Sequence, residues 1–281
     1  MEDIWKCRLT GEQYKVMRQK GTEAPFCNAR WNEKKEGKYY CAACGNLLFT
    51  SSRKFDSGTG WPSFVAPAKK SAIAVRSDRR LGMERNEVMC AKCESHLGHV
   101  FSDGPNPTGK RYCMNSVSMD FEEKLVGVKS AIFAAGCFWG VQEKFGKLEG
   151  VARATAGYCG GWKKEPTYEE VCSGKTGHAE CVLVEYDTEK ISFGALIDAF
   201  FSMHNPTTKN RQGLDFGEQY RSAIFWKTAE QKRMAEEKIA EMKKRGINVV
   251  TDVKKAGAFF RAEGYHQDYL KKHKDTACRL F

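Results

Sequence analysis

The 281-residue sequence has no apolar run long enough to cross a membrane. Its opening stretch, MEDIWKCRLTGEQYKV, lacks the apolar segment of a secretory signal. No repeat links the first half to the second, so two unrelated domains are expected rather than a duplication. These absences point to a soluble, cytoplasmic protein with no membrane partner. A disulfide framework is not expected in that compartment.

What the chain does have is cysteine. Twelve cysteines in a reducing compartment imply metal ligation or redox chemistry. The formal net charge is +11, but basic residues are interleaved with acids, as in KTAEQKRMAEEKIAEMKKRG at 227–246. That segment predicts a helix with a narrow apolar stripe (Met234, the Lys238 stem, Met242) and a solvated opposite face. Net charge alone is weak evidence of binding, and no nucleic-acid partner is expected.

Length and a hydrophobic content of 41% allow one large domain or two average ones. A seam falls near EEKLVGVKS, at 122–130. Before it, a helix over GEQYKVMRQKG is followed by short strand-like runs: KYYCAACGNLLF, SGTGWPSF, AIAVRSD, NEVMCAKC, HLGHVF and RYCMNSVSMDF. Short runs broken by turn residues predict a mainly antiparallel β domain. After the seam, strands over AIFAAG, AECVLVEYD and SAIFWK alternate with helices over CFWGVQEKFGKL, SFGALIDAFFSMH and 228–245. That alternation predicts an α/β two-layer sheet with flanking helices.

Two CxxC pairs, Cys41/Cys44 and Cys90/Cys93, lie in the β-rich half. Two such knuckles match a tetrahedral four-thiolate zinc site, which is structural because no open position is evident among the ligands. A dithiol redox motif is the rival reading, but the βαβ frame it needs is missing.

In RYCMNS, Cys113 belongs to no pair. Arg111 shares a strand face with Cys113 and Asn115, and a nearby cation favours thiolate. A buried structural cysteine is the alternative. His96 and His99 in HLGHVF are ionisable groups suited to protonating an oxygen. Trp61 sits in the glycine-rich turn SGTGWPSF.

In GCFWG, Cys137 falls where a strand gives way to a helix. The helix N-terminus favours an anion there, so a lowered thiol pKa is expected. Gly136 permits the turn and a close approach by a ligand. Phe138 and Trp139 are helix core or pocket wall, and periodicity does not decide between them. Glu180 lies on a strand face shared with Val182, Val184 and Tyr186, which makes it a candidate for a raised pKa and general-acid work. Tyr168, Asn205-Pro206-Thr207 and the polar stretch GLDFGEQY, with Asp215 and Tyr220, read as functional loops.

These residues carry a family resemblance. GCFWG, EEVCSGKTGHAE, HNPTTKNRQGLDFGEQYRS and YHQDYL resemble methionine sulfoxide reductase A. KYYCAACGNLLF, KFDSGTGWPSF, CAKCESHLGHVF and GPNPTGKRYCMNS resemble methionine sulfoxide reductase B. The resemblance implies a zinc-containing B-type domain over 1–124, a linker over 125–129 and a ferredoxin-like A-type domain over 130–281. It implies peptide-methionine (S)-S-oxide reduction by the A half and peptide-methionine (R)-S-oxide reduction by the B half, on free or protein-bound methionine sulfoxide. Cys137 would be one nucleophile, with Glu180, Tyr168, Asp215 and Tyr220 at the sulfoxide oxygen and Phe138 and Trp139 around the methyl group. Cys113 would be the other, with His99 aided by His96 and Asn115, Arg111 activating the thiol, and Trp61 walling the methyl site. One zinc would be held by Cys41, Cys44, Cys90 and Cys93, and a thioredoxin-like thiol would be the outside reductant.

Many B-type members carry a resolving cysteine where this chain has Thr59, so Cys7 and Cys27 become the candidates, with direct reduction of the sulfenic acid as the alternative. Cys278, in the tail, is expected to resolve Cys137. Cys159, Cys172 and Cys181 are expected to be packing cysteines. Two other functions compete. A zinc-knuckle nucleic-acid module would need an aromatic-and-basic stripe near the knuckles, and none is seen there. A thiol peroxidase or disulfide exchanger would have no use for Trp61 and Trp139.

Overall fold

The structure is a computed structural model that describes residues 4–28, 30–79 and 84–273. The chain divides into two compact units, Met1–Lys124 with Glu263–Tyr265, and Leu125–Ala262 with His266–Phe281. No helix among the described residues is long and apolar enough to cross a membrane.

The first unit opens with two short helices, Ile4–Arg8 and Gly11–Met17. Thr10 and Gln13 form a reciprocal capping box that fixes where the second one starts. Behind them, a three-stranded sheet runs in the order Leu47–Thr50, Gly37–Cys41, Met119–Glu123. A six-stranded antiparallel sheet runs Lys54–Phe55, Ser63–Phe64, Arg111–Met114, His96–Phe101, Arg85–Cys90, Ile73–Asp78. Alternate residues turn inward. Phe64, Val88, Cys90 and Met114 join Tyr39, Leu48 and Phe49 in one core, where the rings of Phe49 and Phe64 stack at 4.3 Å.

The outward residues form a row across the larger sheet. Cross-strand register pairs Phe55 with Ser63, Ser63 with Cys113, Cys113 with His99, His99 with Glu87, and Glu87 with Arg76. Directly paired residues share a face. On a regular strand His96 and His99, three apart, would point to opposite faces. The register shift between Val88 and Met89 leaves one extra residue on the histidine strand. This bulge flips the parity, sends Leu97 into the core and brings the two histidine rings to 5.4 Å.

The second unit has a six-stranded sheet in the order Asp252–Lys255, Ser222–Trp226, Lys129–Ala135, Ala179–Tyr186, Val151–Cys159, Phe260–Arg261. Only the first of these pairings is parallel. Helices Phe138–Gly146, Phe193–Ser202 and Ala229–Lys244 cover one face, over a core that includes Phe133, Phe145, Val184, Leu196 and Phe200. The other face is a smaller cluster with Ile132, Cys159, Cys181 and Phe225.

Two sequence expectations need correction here. The buried stripe of the long helix is Gln231, Ala235, Ile239 and Met242, while Lys238 reaches out to Asp198 at 2.7 Å. The apolar seam is therefore rotated from the stripe drawn through Met234 and Lys238. The strand Val151–Cys159 (VARATAGYC) was not anticipated, because its alanines and glycine are weak strand formers and tertiary pairing on both edges decides its state.

Candidate active sites

Both CxxC pairs follow a strand end and share one turn design. Gly45 N–H donates to the Cys41 carbonyl and Glu94 N–H to that of Cys90, with Gly45 and Glu94 in left-handed backbone. The four sulfurs lie within 4.8 Å of one another. Sγ–Sγ separations of 3.7 Å (Cys41 to Cys93) and 3.5 Å (Cys44 to Cys90) approach the roughly 3.8 Å that tetrahedral zinc–sulfur bonds of about 2.3 Å require. The donor set and its shape fit a structural zinc. Asn46, which sequence reasoning passed over, donates its amide to Cys90 Sγ and to the Ala72 carbonyl.

Cys113 stands at the centre of the row on the large sheet, flanked by Ser63 and His99. Arg111 shares its strand, and its charge favours the ionised sulfur. That guanidinium is fixed by two bonds to Asp103 (2.9 and 2.8 Å) and lies over the Phe101 ring at 4.5 Å. Burial pushes the Cys113 thiol up, while Arg111, Thr59 and Ser63 pull it down without fully compensating. His99 Nε2 sits 2.9 Å from Asp78 Oδ2, and Asp78 also pairs with Arg85. His96 Nδ1 sits 2.8 Å from Glu87 Oε1, and Lys20 donates to Glu87 Oε2. Burial raises the Glu87 carboxyl, but the bonds from Lys20 and His96 outweigh it and hold the group below its usual value.

Asn115 lies past the strand end, so the expectation that it shares a strand face with Cys113 is corrected. Its amide donates to the Leu97 carbonyl and its Oδ1 accepts the Glu23 N–H, so both ends are spent on backbone. Glu23 was missed from sequence, since nothing marks a carboxylate 90 residues upstream. It is buried, accepts the N–H groups of Ser116 and Val117, and its carbonyl receives the Trp61 indole N–H at 3.2 Å. Phe26 N–H donates to the Gly60 carbonyl. The arm carrying Cys27 is thus stitched to the turn that carries Thr59 and Trp61. Cys7 is exposed on the first helix.

Cys137 is the N-cap of the helix Phe138–Gly146. Its predicted low pKa is overturned. Burial and then the charge of Glu180 push the thiol up to about 12, and the N–H groups of Trp139 and Gly140 oppose this only in part. Glu180 is 1% exposed and pairs across the sheet with Tyr158. Its Oε2 accepts the Phe138 N–H at 3.0 Å. Burial raises its pKa to about 8, as expected of a general acid. Burial also raises Asp215, Tyr168 and Tyr220. Gly136 adopts φ +92°, and a Cβ there would meet Gln212 at 2.8 Å. The close approach comes from the hairpin Arg211–Gln212/Asp215–Phe216, which brings Asp215 to the site.

Phe138 is buried and Trp139 partly so. Two further aromatics join them. His266 lies 5.0 Å from Phe138 and 4.4 Å from Tyr168, and its Nδ1 accepts the Trp139 indole N–H at 3.0 Å. Tyr269 stacks on Trp139 at 3.8 Å. Gln267 anchors this segment by bonding both the N–H and the carbonyl of Ala156. Sequence reasoning quoted YHQDYL only for resemblance and gave these residues no role. Cys159 and Cys181 are buried, but Cys172 is not a packing residue: it is exposed and hydrogen-bonds Tyr168, one helical turn earlier. Cys278 lies outside the described residues.

Residues 129–281 match the family described as peptide methionine sulfoxide reductase, and residues 9–123 match the SelR domain. The peptide methionine sulfoxide reductase MsrB of Leptospira interrogans is 51% identical over 123 residues, 44% of this chain and 94% of that protein. The peptide methionine sulfoxide reductase MsrA of Methanothermobacter thermautotrophicus is 48% identical over 155 residues, 54% of this chain and 92% of that protein. The reduced form of Mxr1 from Saccharomyces cerevisiae superposes with a TM-score of 0.51 at 34% identity, over 54% of this chain and 90% of that one. With a B-type region first and an A-type region second, the chain belongs to the peptide methionine sulfoxide reductases.

Proposed function

We propose that the chain reduces methionine sulfoxide to methionine at two sites, the S-epimer at Cys137 and the R-epimer at Cys113. In this reading residues 1–124 form the B-type domain, 125–129 a linker and 130–281 the A-type domain. The observation that carries it is Glu180, a buried carboxyl with a pKa raised to about 8, tied to the residue that follows Cys137.

A sulfoxide oxygen leaves only when protonated. At neutral pH Glu180 holds a proton and gives it to that oxygen as the Cys137 sulfur attacks. The thiol proton returns to Glu180. Methionine departs, and the sulfur keeps the oxygen as a sulfenic acid. Tyr168, Tyr220 and Asp215 bound the oxygen side, and Phe138 and Trp139 the methyl side. At the other site Cys113 attacks, the His99–Asp78 pair handles the proton, Arg111 favours the thiolate and Trp61 walls the methyl group.

A second thiol then condenses with each sulfenic acid, expelling water and leaving a disulfide for a thioredoxin-like dithiol to reduce. We assign this role to Cys27 for Cys113, since the Phe26–Gly60 bond places Cys27 beside the Thr59 turn. Cys278 is assigned to Cys137 from the resemblance alone. Cys41, Cys44, Cys90 and Cys93 would hold one zinc, which ties two strand ends together and takes no part in the chemistry. The reading is tested with separate epimers. Cys137→Ser should abolish only S-epimer turnover and Cys113→Ser only R-epimer turnover; a single variant that lost both would overturn the two-site assignment.

A further inference from the structure

One side chain ties the Asn205-Pro206-Thr207 loop to the Cys137 site. Gln212 spends both ends of its amide on a single residue. Its Nε2 donates to the Asn205 carbonyl at 2.7 Å, and its Oε1 accepts the Asn205 N–H at 3.1 Å. This pair of bonds copies what a neighbouring strand would offer. The Gln212 stem meanwhile lies on the bare Cα of Gly136, where a Cβ would come within 2.8 Å of both its Cβ and its Cγ.

Asn205 is a fixed post. Burial keeps the preceding His204 ring neutral, with its pKa lowered to about 4. Its Nδ1 donates to the Phe200 carbonyl and its Nε2 accepts from Ser222 Oγ, both at 2.7 Å. Ser222 pairs across the sheet with Ala135, the residue before Gly136. On the other side Pro206 is buried, and its carbonyl accepts the Val250 N–H at 2.9 Å. The Asn205 side chain takes the N–H and hydroxyl of Thr207, and its carbonyl also receives Thr208 Oγ1 at 3.3 Å.

The hairpin Arg211–Gln212/Asp215–Phe216 is a two-stranded sheet of its own, with Leu214 and Phe216 exposed. Its base is closed by Thr208 Oγ1 on the Arg211 carbonyl and by Gly217 N–H on that of Asn210. Gln212 is what joins it to the post and to Gly136. Register puts Asp215 directly opposite Gln212, so the two share a face. Where Gln212 is held, Asp215 is held beside the residue that precedes Cys137.

We propose that Gln212 is a positioning residue that clamps the Asp215 hairpin against the start of the Cys137 helix. The inference rests on the reading of Asp215 as part of the S-epimer site. A methionine at 212 keeps the stem without the amide. A glutamate keeps the length but has no proton to give at neutral pH, and sets a charge against the Asn205 carbonyl.

The test uses the full chain. Asn205 is exposed, so water competes for both bonds and the expected effect is modest. Gln212→Met should slow a single turnover of the S-epimer about fivefold, with the half-saturating sulfoxide concentration within about twofold of wild type. Gln212→Glu should slow it at least as much. R-epimer turnover should match wild type in both. In an Asp215→Asn chain, adding Gln212→Met should cost almost nothing more, because the residue it positions has already been disabled. An equal cost in that background overturns the proposal, as does a wild-type rate in Gln212→Met. Amide hydrogen exchange needs no sulfoxide. Gln212→Met should speed it over residues 205–217 and leave the strand Ala179–Tyr186 unmoved. Unchanged exchange over 205–217 overturns the clamp. If the wild type turns over no S-epimer while this exchange still rises in Gln212→Met, the functional assignment fails and the clamp stands.

Discussion

Glu180 accepts the backbone N–H of Phe138 at 3.0 Å, so the general-acid candidate is bonded to the residue that follows the nucleophile. The bond fixes the carboxyl against the start of the helix, and burial keeps its proton on to about pH 8. Glu180→Gln keeps an oxygen for Phe138 but has no proton to give. S-epimer turnover should fall by about 100-fold or more, and R-epimer turnover should not change. Wild-type S-epimer turnover should decline as pH rises through about 8, where Glu180 ionises. Stability follows the same sign. The folded pKa lies above the ordinary 4.5, so this group's contribution is complete below 4.5 and is lost as pH climbs toward 8. Glu180→Gln should therefore melt higher than wild type at pH 8, and an equal or lower Tm would contradict the buried acid.

His266 holds Trp139 through its Nδ1 and packs against Phe138 and Tyr168. Accepting the indole N–H requires a ring with no proton on that nitrogen. Removing one neutral hydrogen bond costs about 1 kcal/mol, or roughly fivefold in an equilibrium constant. His266→Phe should raise the S-epimer KM by about that factor with a smaller change in kcat, and shift the Trp139 fluorescence. A fall confined to kcat would place His266 in the chemistry instead of the pocket.

What the sequence made legible was local. The two CxxC knuckles, GCFWG at a strand-to-helix junction and the alternation into Glu180 are patterns a few residues long, and each sits where its pattern implies. Glu23, His266 and Gln267 were invisible because their bonds to Asn115, Trp139 and Ala156 span 92 to 127 residues of chain, and no spacing rule reaches that far. The shared face of His96 and His99 depends on a bulge that shows only in the register. The pKa of Cys137 was misjudged for a related reason. A helix N-terminus can be read from sequence, whereas the depth of burial that overrides it is a tertiary quantity.

Cys27 is exposed and sits next to Phe26, whose N–H is bonded to Gly60 at 2.9 Å. Cys27→Ser should leave a single turnover of the R-epimer intact, because attack by Cys113 needs no second thiol. Steady-state turnover with thioredoxin should fall at least tenfold if only direct reduction of the sulfenic acid remains. Cys7→Ser should match wild type. Mass mapping after one turnover should find a Cys113–Cys27 bond, and a Cys113–Cys7 bond would move the assignment to the first helix.

The four clustered thiols compete for protons, with Cys41 pushed up and Cys90 held down by the hydrogen bonds among them. A divalent cation would replace those protons and let all four sulfurs ionise together, which couples binding to proton release and to folding. The protein as isolated should therefore contain about one zinc per chain, four thiolates being a structural set. Cys44→Ser removes a ligand from the turn that leads into Leu47–Thr50, and so loosens the small sheet that packs Phe49 on Phe64. It should lose zinc and R-epimer turnover together, with the Tm of a first unfolding step reduced, while S-epimer turnover at Cys137 continues. Strong chelation of the wild type should reproduce this pattern. Retained R-epimer turnover at wild-type Tm after complete zinc loss would show that the knuckles pack well enough without a metal.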